Sequence, residues 1–341
     1  MNIRGLEIGY GTTSVTVNDD GTDVVTFPSI VVSCDQTAEE KLGFGSSSSI
    51  KVYLDKSKSF LVGNELDERT VSTRDLTSDY VTTDQYKALF YAAISKLDVD
   101  QVDLLVCGLP VNNMSVAPQV EKLVVGEHNV IGRKINIKRC LVVSQPLGTL
   151  ANHLNSIDAN DEQVHSKKLV IDCGYHTVDF IVATAFDVSS TLNGAVDGGM
   201  SKLLEACQVE LAKTFKKAPS VQAIDRAFYA NYQGNERYIK LFGNKYAFPV
   251  CGGHTVDKKA VNERFDLTPQ IERVTDEAAN FIANKVGDGH DIDEIIVGGG
   301  SGPHYLDAIK RRFPKHNITL VKSPLTSVCM GLHDIGKMVS D

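Results

Sequence analysis

The sequence predicts an α/β protein of two domains with similar build, and three observations predict it. First, one pattern occurs twice. In "GLEIGYGTTSVTV" and "LVIDCGYHTVDFIV" an apolar strand carries an acid near its end (Glu7, Asp172). A glycine follows two residues later (Gly9, Gly174), then a tyrosine (Tyr10, Tyr175), then threonine within two or three residues (Thr12 and Thr13, Thr177). Second, each copy opens a three-strand meander, which makes duplication a better account than chance. Third, the second half mixes strands with helices of crossover length, which implies layered α/β structure. A chain of 341 residues is long enough for two such domains.

The elements follow in order. "IRGLEIG" turns at Tyr10–Gly11 into "TTSVTV", and "NDDG" turns into "TDVVTFPSIVV". Residues 43–64 begin Gly- and Ser-rich ("GFGSSSS") and then offer strand-like pieces around Val52 and Phe60. They read as an excursion from the domain. "TTDQYKALFYAAISKL" has a Thr/Asp start and apolar residues at helical spacing. "VDLLVCGLP" is a buried strand, and "RKINIK" and "CLVVSQ" are two more. "PLGTLANHLNSI" is a helix with Pro146 in its first turn. "DANDEQVHSK" is polar and loop-like. The second meander, helices over 199–213, about 219–230 and 268–286, and "DEIIVGGGSGPHYLDAIKRRF" come next. The last is strand, glycine turn, helix. "NITLVKSPLTSVCMGLHDIGKMV" closes the chain with a strand and a helix.

Composition narrows the function. A net charge of −8 and no basic run longer than a pair argue against direct nucleic-acid or membrane affinity. The seven cysteines form no C-x-x-C pair and mostly sit in apolar runs. That fits reduced, buried thiols and a cytoplasmic protein. No signal-peptide core and no run of ~18 apolar residues is present. P-loop, G-x-S-x-G, H-E-x-x-H and G-x-G-x-x-G motifs are absent.

Four loops can carry chemistry. Two acid-x-Gly hairpins could clamp a polyphosphate, because glycine lets backbone N–H groups approach phosphate oxygens and threonine adds a donor. A carboxylate at the strand end would hold Mg²⁺ through water, a role that fits Asp172. A plain β-turn decorated with Asp accounts for the single loop equally well. Gly298, Gly299 and Gly300, between strand and helix, suit close contact with a flat or anionic ligand. Gly198–Gly199 open a helix with N–H groups free for an anion, although simple capping explains that pair alone.

In this order the elements resemble the superfamily of actin, the heat-shock chaperone ATPases and the sugar kinases, over nearly the whole chain. The pattern D-x-G-x-x-T-x-D is complete in Asp172, Gly174, Thr177 and Asp179. "LEIGYGTTSV" stands where the first phosphate loop belongs, and "VVSQPLGTLANHL" looks like the first connecting helix. "IIVGGGSGPHYLDAI" looks like the adenosine motif, and "SPLTSVCMGLHDIG" like the second connecting helix. The compact length is most similar to bacterial and archaeal actin-like proteins, ParM/StbA plasmid-segregation actins in particular.

The resemblance implies two actin-like, ribonuclease H-like domains, residues 1–148 with 325–341 and residues 149–324. Each would be a mixed five-stranded sheet with flanking helices, with a nucleotide cleft between them. It implies ATP (or GTP) and Mg²⁺ as ligands. Asp172 and Glu7 would organise the metal, and Gln145 would orient the attacking water. Gly9, Tyr10, Gly11, Thr12, Thr13, Gly174, Tyr175, His176, Thr177 and Asp179 would line the phosphates. Gly198 and Gly199 would approach ribose or phosphate, and Gly298, Gly299, Gly300 and Ser301 the adenosine. The partners implied are further copies of the chain in a head-to-tail filament and a DNA-binding adaptor protein. In this reading 43–64 is a longitudinal contact loop or simply a surface loop.

Two departures stand out. Glu7 replaces the usual Asp, and Ser14 stands where actin and ParM carry a phosphate-contacting Lys; both point to slow hydrolysis. A small-molecule kinase of the same fold and a non-polymerising ATP-binding scaffold are the alternatives. "CGLPVNNM" lacks the acid a kinase needs, and "IGKMVSD" is too short for a membrane helix.

Overall fold

The computed structural model describes residues 1–34, 49–55, 58–63, 80–215, 217–233, 236–249 and 263–340. The chain divides into two compact units, residues 1–165 with 321–341, and residues 166–320. These boundaries differ from the expected 148/149 and 324/325 and leave the helix after Ser144 wholly in the first unit.

The first unit opens with β1 (Ile3–Ile8), β2 (Thr12–Thr16) and β3 (Val24–Pro28). The expected third strand is split. It ends at Pro28, and β4 (Val31–Cys34) joins β5 (Ile50–Tyr53) and β6 (Ser59–Val62) in a separate sheet of order β4-β6-β5. The Gly/Ser-rich residues 43–48 lie outside the described residues. Helix α1 (Asp84–Ile94) starts where the sequence indicates: Thr83 caps it, its hydroxyl accepting from the Tyr86 N–H at 3.2 Å. Then come β7 (Gln101–Val102), β8 (Leu104–Leu109), α2 (Ala117–Val124), β9 (Gly126–Val130), β10 (Arg133–Ile137) and β11 (Cys140–Ser144). Helices α3 (Gln145–Ser156) and α4 (Asp161–His165) finish the segment. The main sheet has the order β11-β8-β1-β2-β3. Strand β1 is antiparallel to β2 and parallel to β8, and β8 is parallel to β11. Helix α4 replaces the expected loop. Asn160 and Gln163 cap it reciprocally, side chain to backbone, at 2.9 and 3.0 Å.

The second unit repeats the plan. It contains β12 (Lys167–Cys173), β13 (Thr177–Thr184), β14 (Asp187–Asp197), α5 (Met200–Thr214), α6 (Val221–Gln233), β15 (Tyr238–Leu241) and β16 (Asn244–Ala247). Helix α7 (Thr268–Val286), β17 (Glu294–Gly298), α8 (Gly302–Arg312) and β18 (Asn317–Leu320) complete it. Its sheet runs β14-β13-β12-β17-β18, with the first unit's alternation of antiparallel and parallel pairs. The apolar core gathers Ile171, Phe180, Leu203, Ile271 and Val297, all buried. The duplication read from two short motifs therefore extends to whole sheets.

The chain then returns to the first unit as α9 (Ser327–Met338). It packs against α3 and β1 with almost no side chain between backbones. A Cβ on Gly331 would stand 1.7 Å from the Gly148 carbonyl oxygen, and one on Gly5 would stand 2.3 Å from that of Cys329. The six described cysteines are free thiols. Among the described residues no helix is long and apolar enough to cross a membrane.

Candidate functional site

In each unit the residues singled out in the sequence gather at the carboxyl ends of the parallel strands, where α/β sheets commonly take ligands. In the first unit Glu7 is the penultimate residue of β1 and pairs in register with Gly108 of β8, which pairs with Val143 of β11. Gln145 follows β11 at once and is buried, as the first residue of α3. A Cβ on Gly108 would stand 3.2 Å from Gln145 Cγ, so that glycine leaves room for the amide side chain.

The loop after Glu7 is braced from behind. The Gly9 N–H donates to the Thr12 carbonyl at 3.0 Å, closing the turn. Ser29 donates its hydroxyl to the Gly9 carbonyl at 2.6 Å and its N–H to the Gly11 carbonyl at 3.0 Å. Thr13 is fully buried with its hydroxyl 2.9 Å from that of Ser29. The Tyr10 ring stacks on Tyr80 at 5.0 Å between centroids. Ser14 is enclosed too, its hydroxyl 3.0 Å from that of Thr26, and it brings no charge to the loop.

The second unit closes the same turn, the Gly174 N–H donating to the Thr177 carbonyl at 2.9 Å. Asp172 and Asp179 are direct cross-strand partners and share a face of the sheet. The Thr177 hydroxyl donates to Asp179 Oδ2 at 2.6 Å. Asp172 is buried, and its Oδ1 has no hydrogen-bond partner among the described residues. Burial first, and the Asp179 charge second, push its carboxyl up to about 7.

The carbonyls of this second loop are all engaged. Gly199, Met200 and Ser201 donate their N–H groups to the carbonyls of His176, Gly174 and Tyr175, at 3.0, 3.1 and 2.7 Å. This corrects the expectation of free N–H groups at the start of this helix: those of Gly199, Met200 and Ser201 are spent on fixing the loop. Gly199 is required because a Cβ there would stand 2.7 Å from the Gly174 oxygen. Ser301 is buried and donates its N–H and its hydroxyl to the Cys173 carbonyl, at 3.1 and 2.9 Å. The Tyr305 hydroxyl donates to the Gly198 carbonyl. Gly298 pairs in register with Asp172, and Gly299 turns at φ +79° with room for no Cβ beside Asp172 Oδ1, which would lie 2.6 Å away. Gly300 follows at the surface of the same turn.

Glu7, Gly9–Thr13 and Gln145 thus form one cluster in the first unit. Asp172–Asp179, Gly198–Gly199 and Gly298–Ser301 form another in the second. Sequence reasoning missed Ser29 and Tyr305, which brace the loops from a distance in the chain. Only the Pro28 that breaks the third strand hinted at the first of them.

Residues 5–148 match the family described as actin-like proteins, N-terminal domain. No curated protein matches the chain. Among solved structures, the archaeal actin homologue Ta0583 is 17% identical, covers 99% of this chain and 100% of its own, and superposes with a TM-score of 0.74. The same protein in complex with ADP is 16% identical, with a TM-score of 0.73 over 99% of this chain and 100% of that one. A ParM from Clostridium botulinum, in a 15-stranded filament, is 18% identical, with a TM-score of 0.70 over 99% and 100%. The chain therefore has the two-domain actin fold, and the resemblance to the actin-like superfamily and its ParM-like members holds.

Proposed function

We propose that this chain is an actin-like ATPase that binds Mg-ATP with both units and assembles head-to-tail into filaments. The observation that carries the reading is the matched pair of hairpins. Each follows a carboxylate at the carboxyl edge of its sheet, and each is closed by the same Gly N–H to Thr carbonyl bond, 3.0 Å in one and 2.9 Å in the other. In the second, carbonyls 173–176 are drawn into hydrogen bonds with α5 and Ser301, so their negative ends are withdrawn from a ligand. The N-terminus of α5 is spent on that loop's carbonyls and fixes its shape.

Asp172 fits a cation. A buried carboxylate oxygen without a partner, with its proton held up to about 7, is satisfied either by that proton or by a positive ion. Asp172, with Glu7, would hold Mg²⁺. A bound magnesium ion supplies neutralisation of the triphosphate charge. Gly11 and Thr12 on one loop, and His176 on the other, bind the phosphates through backbone and hydroxyl donors, while Gly9, Gly174 and Thr177 close and brace the two turns. Tyr10, Thr13, Tyr175 and Asp179 hold those loops in shape. Gly298–Ser301 lie along the adenosine. The Gln145 amide orients the attacking water without deprotonating it, so catalysis is positioning and electrostatics.

The filament would serve DNA segregation in the cytoplasm through a DNA-binding adaptor. The archaeal homologue solved with ADP and the filament-forming ParM support nucleotide binding and assembly by analogy of fold. The test is pelleting and phosphate release with ATP and with ADP. ATP-dependent assembly with hydrolysis is expected. Phosphate transfer to a small molecule without assembly would instead make the chain a kinase, and nucleotide binding with neither would make it a scaffold. Gln145→Ala should slow phosphate release about 100-fold while leaving nucleotide affinity within a few-fold.

A further inference from the structure

The β15–β16 hairpin ends in a residue that its turn does not favour. Phe242 stands at φ +50° and Gly243 at φ +80°, the left-handed pair of a two-residue hairpin turn. Asn, Asp or Gly suits the first position, and phenylalanine does not. The Phe242 side chain is 68% exposed and only leans on Phe215, 4.9 Å between ring centroids. A local rule broken without gain to folding marks a site of function.

The hairpin is also basic. Residues 237–247 contain Arg237, Lys240 and Lys245 and no acid. Among the described residues neither Lys240 nor Lys245 has an ion-pair partner; Lys245 sits over the Tyr238 ring at 4.2 Å. The turn at Ile131 has similar backbone, φ +50°. There, however, Arg133 is paired with Asp100 at 2.6 Å and Lys134 with Glu127 at 2.8 Å. Its charge is already answered within its own unit.

Charge is divided unevenly along the chain. Residues 1–165 with 321–341 contain 16 basic and 24 acidic side chains, and residues 166–320 contain 19 of each. The whole net charge of −8 therefore lies on the first unit.

We propose that Phe242, flanked by Lys240 and Lys245, is the tip by which the second unit of one copy docks on the first unit of the next. The occupant is a second copy of this chain, whose first unit carries the net negative charge that complements the basic tip. The inference rests on the self-assembly proposed above and names its contact. A contact between unlike units is heterologous; where its rotation does not close it leaves a free tip at one end and a free first unit at the other, so it propagates. The ring is the anchor, and the lysines steer the encounter and make assembly salt-sensitive.

The test compares the full chain with Phe242→Asn by pelleting and light scattering with Mg-ATP. Asparagine suits the left-handed position, so Tm stays equal or rises and nucleotide binding is unchanged. The critical concentration for assembly rises about tenfold or more. The double variant Lys240→Glu with Lys245→Glu raises it too and flattens the salt dependence. Assembly of Phe242→Asn at the parent's critical concentration overturns the proposal while leaving the assembly reading intact. So does assembly lost together with a lowered Tm or lost nucleotide binding. A parent that binds Mg-ATP and never assembles overturns both.

Discussion

Asp172 concentrates the chemistry at the scale of single residues. Its carboxyl is raised to about 7 in the folded chain, against about 4 when unfolded. A raised carboxyl contributes stability that is present below the unfolded value and is lost as pH rises through about 7. In nucleotide-free protein Asp172→Asn removes that loss. Urea unfolding should find the variant equal to the parent near pH 4 and more stable by a few kcal/mol at pH 8. The same substitution should abolish Mg-dependent ATP hydrolysis. Ser29 makes a quieter contribution. Ser29→Ala deletes the hydroxyl that braces the Gly9 carbonyl at 2.6 Å. It should cost about 1 kcal/mol in stability and weaken nucleotide binding, read by unfolding and titration.

At the scale of elements, the two crossing helices depend on glycine. Gly331→Ala would force a Cβ to 1.7 Å from the Gly148 oxygen. Neither backbone can withdraw, since α9 is also pressed on β1 at Gly5. The substitution should cost about 3 kcal/mol or more, measured by thermal unfolding. Helix α3 and helix α9 were legible in the sequence because Pro146 and the apolar spacing mark them. The β15–β16 hairpin was not, because Phe242 occupies the place where Asn or Gly announces such a turn. Helix α2 escaped notice because it is short and runs almost directly into β9, although Gly126, at φ +125°, marks its end. Both loop motifs were legible, since their acid, glycine and threonine are close in sequence. What fixes their shape was not, because Ser29, Ser301 and the end of α5 reach them only through the fold.

At the scale of the whole molecule, two sheets of the same order carry the same turn, and the duplication seen in a dozen residues governs the architecture. Stability across pH follows from groups in both units. His304 and His333 are buried and their pKa values are lowered to about 4 by burial. An unfolded histidine binds its proton near 6.5. Their stabilisation is present above that value and is lost as pH falls from about 6.5 towards 4, so the chain should be less stable at pH 4.5 than at pH 6.5 once Asp172 is replaced by Asn.

The most direct measurement is calorimetric titration of Mg-ATP into the full chain and into Gly9→Val and Gly174→Val, with folding checked by circular dichroism. One nucleotide per chain is expected, and either substitution alone should remove it, because the proposed function has one triphosphate held by both hairpins. Two independent sites, or binding that survives the loss of either hairpin, would contradict that claim.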